Sequence, residues 1–337
     1  MKILIPIIYL ISLSAVYITF LNNESSELQY ILYNDMGSGD YKESSTARFD
    51  VANFDFPDIS QSALPMKGIA ARYFFYGGKF DEAIEMLNSS KKSNPYIMFN
   101  QSLLGEIYSY LGVRDSALYY NEIAFTGLPF SSKHFIELSK SYVQVKNYKK
   151  IDSIFEIAKV KMQPPVWLAY LSSLLTNEEN ISHIGKKNAN DASNYFSENS
   201  HSELMLAAKY VKFGTENINK SLEYEAKGSD HFDKSEWLLA AEAYENASRL
   251  NPSQYTHFEN IGISYFKFGY YDKAIDNLNF VIDSLNPKTG KSEYVIAEIY
   301  NQLGDSKLAC DYIYKSSNYN YRPAFQRIGE YCIDQIK

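Results

Sequence analysis

The sequence predicts an all-α fold in which helical hairpins stack side by side as a solenoid. The first observation is a fixed spacing. Phe74, Tyr108 and Tyr142 follow one another at intervals of 34 residues, and small residues and prolines recur at the same interval. A recurring spacing of this length indicates a repeat architecture rather than a single site. The second observation is that the apolar residues within each copy follow helical periodicity.

The copy at residues 258–287 shows how each element is expected to form. Gly262 lies on the first helix and Ala274 on the second, and these small residues allow the paired helices to approach closely. Gly269 supplies the permissive backbone that the turn requires. Pro287 ends the second helix, because the residue before a proline avoids helical dihedral angles. One hairpin cannot cover its own apolar face, so neighbouring hairpins must stack.

The same residue types stand at matching places in YFFYGGKFDEAIEMLNSSKKSNP, LGEIYSYLGVRDSALYYNEIAFTGLP and FENIGISYFKFGYYDKAIDNL. These stretches resemble the tetratricopeptide repeat (TPR), and six such copies cover well over half of the chain. The resemblance implies a TPR-type right-handed α-solenoid. It also implies a concave face lined mainly by the first helix of each hairpin.

The order of the copies predicts the organisation of the chain. A final helix is expected to cap the solenoid, because the terminal repeat has no further neighbour. The predicted parts are a hydrophobic helix serving as membrane anchor or signal segment (1–21), a polar spacer (22–62), a first block of three repeats (63–165), an irregular helical repeat region (166–220), a second block of three repeats (221–322) and a capping helix (323–337).

The N-terminal segment has Lys2 and then no charged residue over 3–21, which is long enough to span a membrane. Two interpretations remain open. The segment is either an uncleaved anchor or a secretory signal cut at the small-residue site at 12–14. Because Lys2 precedes the span and Glu24 and Glu27 follow it, both interpretations place the body outside the cytoplasm. We expect a single-pass protein of the cytoplasmic membrane with a periplasmic repeat domain, or a secreted or periplasmic protein after cleavage.

Composition and motifs argue against several functions. The net charge is −7 and no basic run is present, which argues against nucleic-acid binding. The five histidines share no metal-ligand spacing. The stretch PKTGKS ends like a phosphate-binding loop, but Leu285 stands where the required earlier glycine would be. With no catalytic constellation, we expect no enzyme activity, no cofactor and no metal site.

The two cysteines, Cys310 and Cys332, lie 22 residues apart near the C-terminus. In an exported protein they can form a disulfide. The alternative is two buried thiols that act as small apolar residues. The sequence leaves both open, because it does not show whether the side chains face each other.

The TPR resemblance also implies a partner-binding groove at positions that flank the packing stripe of each first helix. Carried onto this chain residue by residue, these positions are Arg72, Phe75, Tyr76, Glu106, Tyr110, Lys140, Gln144, Glu259, Ile263, Phe266, Lys267, Tyr294, Glu298 and Asn301. The set mixes both charges with aromatic rings, which suits an extended peptide, a helix or a glycan.

The leading functional hypothesis is a membrane-anchored scaffold that holds a protein partner in this groove. A chaperone adaptor is disfavoured, because Gly68 and Arg72 stand where TPR proteins that clamp chaperone carboxyl termini have lysine and asparagine. A weaker resemblance, carried by NPYIMFNQSLLGEIY and DSALYYNEIAF, is to repeat regions associated with O-antigen ligases or polymerases in Bacteroidetes. It implies the alternative function, an accessory glycan-binding module of envelope polysaccharide assembly, with a polysaccharide-assembly enzyme as partner.

Overall fold

A computed structural model describes residues 4–41, 49, 54–197 and 200–332. These residues form α-helices joined by short loops, and the described part of the chain contains no β-strand beyond an isolated bridge between Ile59 and Pro65. The chain divides into two compact units. Unit 1 comprises Met1–Asn188 and Glu198–Leu204, and unit 2 comprises Ala189–Ser197 and Met205–Lys337.

The helices are numbered in chain order, and the division between the units falls within α9 and α10. Short 3-10 turns at Pro95–Ile97, Lys159–Lys161 and Glu178–Asn180 and a π-helical turn at Val281–Leu285 lie between helices. The α-helices are α1 (Leu4–Ser38), α2 (Met66–Tyr76), α3 (Phe80–Ser89), α4 (Phe99–Tyr110), α5 (Arg114–Gly127), α6 (Ser132–Gln144), α7 (Tyr148–Ala158), α8 (Pro164–Leu175), α9 (His183–Tyr195), α10 (Ser202–Phe213), α11 (Thr215–Asp233), α12 (Trp237–Leu250), α13 (Tyr255–Phe268), α14 (Tyr271–Phe280), α15 (Lys291–Gln302), α16 (Ser306–Asn318) and α17 (Arg322–Tyr331).

The prediction of an all-α, TPR-type solenoid of helical hairpins is confirmed. In unit 1 the successive hairpins are α2 with α3, α4 with α5, and α6 with α7. In unit 2 they are α11 with α12, α13 with α14, and α15 with α16. The hydrophobic helix α1 precedes the repeats and α17 follows them, while residues 333–337 of the predicted capping helix lie outside the described residues.

The small and turn residues of the repeat do what their spacing predicts. A Cβ on Gly262 would lie 2.7 Å from Leu278 Cγ and 3.2 Å from the Ala274 carbonyl oxygen, so only glycine permits this close pairing of α13 with α14. Gly269 has φ of +93° in the turn between the two helices, in the left-handed region that glycine enters without strain. These two glycines therefore fix the hairpin.

The prediction of a polar spacer beginning at residue 22 is wrong for 22–38. α1 continues through that stretch to Ser38 as one uninterrupted helix. Leu28 and Leu32 on this part of α1 are buried in a core cluster that includes Met66 of α2. The signal in the sequence is weak, because these leucines stand among polar residues.

Hydrogen bonds reinforce the contact between α1 and α2. The Tyr73 hydroxyl donates to the Leu32 carbonyl at 3.2 Å and to Asp35 Oδ2 at 3.2 Å. Burial, together with the Asp35 carboxylate, raises the pKa of Tyr73 above its usual value. The second half of α1 is thus an integral part of the folded unit, where a polar spacer was expected.

In unit 1, a buried polar network joins α7, α8 and α9. Asp152 accepts hydrogen bonds from the Tyr170 hydroxyl at 2.7 Å and from Ser182 Oγ at 2.8 Å. Asn188 Nδ2 donates to the Tyr170 oxygen at 3.1 Å. The Tyr170 ring itself stacks on Phe155, with ring centroids 3.7 Å apart. Buried polar groups that are satisfied in this way specify one packing of the helices.

In unit 2, the capping helix α17 is tied covalently to the last hairpin. The sulfur atoms of Cys310 on α16 and Cys332 after α17 are joined at 2.10 Å. Both residues are buried in a cluster with Ile313 and Ala324. Of the two arrangements that the sequence leaves open for these cysteines, the structure has the disulfide.

Candidate binding surface

Two helices of unit 1, α6 and α8, border an open apolar cavity. Its volume is about 400 Å³, and it lies between α6 and α8. The lining residues are Ile136, Lys140, Val143, Gln144, Ala169, Ser172, Ser173 and Thr176. Two predicted groove residues, Lys140 and Gln144, therefore lie together at the rim of a concave site.

The lining of this cavity includes one exposed positive charge. Lys140 Nζ lies 2.9 Å from Glu137 Oε1, and the lysine side chain is 63% exposed. An ion pair of this exposure contributes little to stability. The ammonium is therefore available to a carboxylate on a ligand whose apolar group enters the cavity, because exchanging one exposed partner for another costs little.

A second cluster of predicted residues lies at the turn end of the first two hairpins. The Phe75 ring is 5.8 Å from the Tyr110 ring, and Tyr76 stacks on Tyr41 at 4.2 Å. Tyr110 and Tyr76 are 71% and 54% exposed, whereas Phe75 is buried. Burial of part of Tyr76, with the Glu106 carboxylate near it, raises the pKa of this tyrosine. Phe75 thus supports the exposed rings and offers no surface of its own.

The charged residues predicted for the same hairpins already have partners. The Arg72 guanidinium lies over the Phe99 ring, 5.1 Å from its centroid. Glu106 Oε2 accepts from Lys133 Nζ at 2.9 Å. Both contacts link α2 or α4 to the following hairpin, so these side chains hold neighbouring repeats together as well as facing outward.

In unit 2, the predicted residues of α13 are mainly engaged within the fold. Glu259 is 2% exposed and accepts a hydrogen bond from Ser292 Oγ at 2.9 Å. Ile263 and Phe266 pack against the core of this unit. Lys267 is exposed, and its ammonium lies 5.9 Å from the centroid of the Phe266 ring.

Two of the three predicted residues of α15 face the capping helix. Glu298 Oε1 lies 3.5 Å from Arg327 Nε of α17. The Tyr294 ring is 5.4 Å from the Tyr321 ring, just before α17. Asn301 is exposed at the end of α15. The cap therefore covers Tyr294 and Glu298 in the last repeat, because the first helix there meets α17 in place of another hairpin.

Sequence reasoning missed the half of the cavity that α8 contributes. The irregular copy has a shorter spacing: buried Trp167 lies 32 residues after buried Phe135. With the same spacing of 32 residues, Ser172 corresponds to Lys140 and Thr176 corresponds to Gln144. All four residues line the cavity. A search that allowed the period to shorten would have found them.

The described residues contain no group of three or more histidine, cysteine or acidic side chains placed to hold a metal ion. By its length and composition α1 meets the requirements for a membrane span, as a signal sequence also would. The side chains of its apolar window are not buried in the protein.

No protein-family model and no curated protein matches the chain. Among solved structures, the chain is similar to a tetratricopeptide repeat protein from Parabacteroides merdae ATCC 43184, with 14% identity, 91% of this chain and 98% of that chain covered, and a TM-score of 0.32. It is also similar to the TPR2AB domain of yeast Sti1 in a pHSP90 complex, with 16% identity, 80% of this chain and 97% of that chain covered, and a TM-score of 0.33. A third similar structure is MamA, with 16% identity, 76% of this chain and 96% of that chain covered, and a TM-score of 0.26. At these identities and TM-scores the likenesses carry no argument about function.

Proposed function

We propose that the protein is a membrane-anchored, exported scaffold that holds a protein partner against the first helices of unit 1. The observation that carries the proposal is the apolar cavity between α6 and α8, with the exchangeable ammonium of Lys140 at its rim. Binding sites are typically concave, mostly apolar and equipped with a few polar groups that fix orientation. We infer that the partner inserts an apolar side chain there and places a carboxylate beside Lys140.

One feature supports an uncleaved membrane anchor, and a second supports a location of the repeats outside the cytoplasm. α1 runs unbroken from its apolar half into the part packed on α2, so cleavage at 12–14 would cut within a continuous helix. The Cys310–Cys332 bond is of the kind that forms and persists in oxidising compartments. We therefore propose an uncleaved anchor together with the scaffold.

Filling the cavity is expected to reduce partner capture strongly. Ala169 lies on the cavity wall and is only partly buried, so Ala169→Trp places an indole in the cavity without entering the core. With a photo-crosslinking residue at Gln144 in the full-length protein, we expect crosslinking in native membranes to capture a discrete partner. The Ala169→Trp change should lower the yield by about tenfold, the loss that roughly 1.4 kcal/mol of binding free energy produces.

The matched control is Ser153→Trp, at an exposed position on α7, which pairs with α6. Capture should be unchanged in this variant, and circular dichroism should show equal helix content in both. If Ala169→Trp captures as much as the unsubstituted protein, the cavity is not the binding site.

The exposed rings of Tyr76 and Tyr110 favour the alternative function, glycan binding, since sugar rings stack on exposed aromatic faces. If the protein is a glycan-binding module, purified full-length protein in detergent should bind components of a glycan array, and Tyr110→Ala should lose that binding. Tyr119→Ala, which removes an exposed ring on α5, is the control. Absence of glycan binding would leave the protein-partner proposal as the only one of the two.

A further inference from the structure

The direction of α1 fixes which edge of unit 1 faces the membrane. Near the start of α2, the Gln61 backbone N–H donates to Gln29 Oε1 at 2.9 Å. At the far end of α2, the Tyr41 ring, just beyond α1, stacks on Tyr76 at 4.2 Å. α1 and α2 therefore run parallel. The apolar half of α1 projects from the edge of unit 1 at which the first helices begin.

The loops that join one hairpin to the next lie at this same edge. We call residues 90–98, 128–131 and 159–163 together the proximal edge. Asn94 Nδ2 donates to the Ala63 carbonyl at 2.6 Å, beside the start of α2. Further along, Gln163 Nε2 donates to the Phe130 carbonyl at 3.2 Å. Direct contacts thus align these loops with the membrane end of α1.

The proximal edge is within reach of lipid headgroups. The charge-free run ends at Leu21, and Gln29, which touches the start of the first hairpin, is eight residues further along α1. At a rise of about 1.5 Å per residue, that separation is about 12 Å. The polar layer on each side of a bilayer is roughly 5–8 Å thick, so extended side chains on the proximal edge bridge the difference.

The side chains at the proximal edge suit an anionic lipid surface. Its exposed apolar residues include Tyr96 (82% exposed) and Val160 (68%). Lys91, Lys92 and Lys161 are exposed beside them, and the three loops contain no acidic residue in a chain of net charge −7. Exposed aromatic and aliphatic groups interleaved with lysines are typical of surfaces that lie at the membrane interface.

The opposite edge of unit 1 lacks this pattern. We call the turns at 77–79, 111–113, 145–147 and 176–182 the distal edge. It carries two lysines and two glutamates, so its charges balance. The two edges therefore differ in net charge, and the positively charged proximal edge is the one that an anionic surface would attract.

Two acidic residues near the proximal edge, Asp55 and Asp58, are engaged by neighbouring side chains. Asp55 lies 2.6 Å from Lys67 Nζ, and Asp58 accepts from Ser93 Oγ at 2.9 Å. Glu24 and Glu27 lie on α1 itself, between the apolar run and the hairpins. Lys159 is paired with Glu156 at 2.7 Å, so the cations that remain for lipid are mainly Lys91, Lys92 and Lys161.

We propose that the proximal edge is a lipid-binding surface that lays unit 1 against the anionic headgroups of the membrane that α1 crosses. The inference rests on the proposed anchoring of α1. Insertion of Tyr96 and Val160 at the interface and attraction of the lysines to headgroup phosphates hold the edge down. The cavity and the exposed rings of Tyr76 and Tyr110 then remain clear of the bilayer. They are held at a fixed height above it, where a partner can reach them.

The test is fluorescence quenching of full-length protein in nanodiscs. Because both native cysteines are bonded to each other, Tyr96→Cys supplies a single reactive thiol for an environment-sensitive fluorophore. The nanodiscs contain phosphatidylglycerol and phosphatidylcholine, with a nitroxide on the headgroup of a tracer lipid. The label at 96 should be strongly quenched, and a label at Tyr110→Cys, on the distal side, should not.

Charge dependence is tested in the labelled protein with Lys91→Gln, Lys92→Gln and Lys161→Gln combined. Each lysine contributes roughly fivefold to partition onto an anionic surface, so the triple variant should lose most of the quenching at 96. Lys79→Gln, Lys146→Gln and Lys150→Gln, on the opposite side of the same hairpins, form the matched control and should retain it. Nanodiscs of phosphatidylcholine alone should resemble the triple variant.

A third label, at Ile18→Cys with a nitroxide on the acyl chain, separates the two proposals. If 18 is quenched and 96 is quenched no more than 110, α1 is anchored and the lipid-binding surface is refuted. If 18 is not quenched, the anchor fails and this inference fails with it. The label at 96 could instead be shielded from an added aqueous quencher in native membranes but not in nanodiscs. That result would show that the proximal edge binds a membrane protein rather than lipid, and it would also overturn the proposal.

Discussion

Raising the pH from about 8 to about 11 is expected to lower the free energy of unfolding by several kcal/mol, because buried tyrosines must stay protonated in the folded protein. Five such tyrosines lie beside carboxylates, and four of them donate a hydrogen bond to the carboxylate. Burial, together with the carboxylate, raises the pKa of each above its ordinary value, for Tyr265 to about 12. The tyrosines and their partners are Tyr73 with Asp35, Tyr142 with Glu122, Tyr170 with Asp152, Tyr265 with Glu245 and Tyr331 with Glu298.

The sign follows from proton binding. In the unfolded chain a tyrosine loses its proton near pH 10, whereas in the folded protein these five keep theirs to higher pH. Above about pH 10 the folded state therefore binds more protons, and the free energy of unfolding falls by roughly 1.4 kcal/mol per tyrosine and pH unit. Below that pH the contribution to stability is fully present.

Urea unfolding at a series of pH values measures the effect, and Tyr142→Phe is the matched variant. Tyr142 donates to Glu122 Oε1 at 2.7 Å, so the variant should lose about 1 kcal/mol at neutral pH. Phenylalanine does not titrate, so the variant should have a shallower dependence on pH above 10. An identical dependence in both proteins would show that Tyr142 does not contribute.

For these tyrosines the sequence predicts burial, but it does not predict the carboxylate that each one contacts. Periodicity predicts that Tyr142 and Tyr265 are core residues, and both are buried. It does not predict their carboxylate partners, because those lie on the preceding hairpin. In both cases the partner glutamate is 20 residues earlier in the chain. A repeat-by-repeat search for polar residues at fixed offsets, extended beyond apolar residues, would have found this contact.

The binding surface is less predictable than the hairpins, because the same repeat position meets different neighbours. Phe75 and Glu259 occupy predicted groove positions and are buried. Glu298 occupies another and faces Arg327 of the cap. Helical periodicity assigns a residue to a face, but the packing of the next element decides whether that face is open. Lys140 and Gln144, by contrast, line the cavity between α6 and α8, beside the copy with the shortened spacing.

Reducing the Cys310–Cys332 bond is expected to lower the free energy of unfolding by about 3 kcal/mol, the value for closing a loop of this size in the unfolded chain. Urea unfolding with and without dithiothreitol measures the loss. Cys310→Ala, Cys332→Ala and the double variant should be destabilised by similar amounts, because each removes the same bond. Double-variant protein that is as stable as the oxidised parent would contradict the prediction.

The position of the disulfide explains why its loss should affect more than the last helix. On the last described hairpin, α17 packs against a cluster that includes Ala297, Ala309 and Ile313, in the place that a following hairpin would take. Repeat arrays gain stability from each interface between neighbours, and an array that loses its cap frays inward from that end. We therefore expect reduction to raise hydrogen exchange first in α16 and α17 and then in α15. The terminal repeat should therefore be most stable in an oxidising compartment, where the bond persists, which agrees with the exported location proposed for the chain.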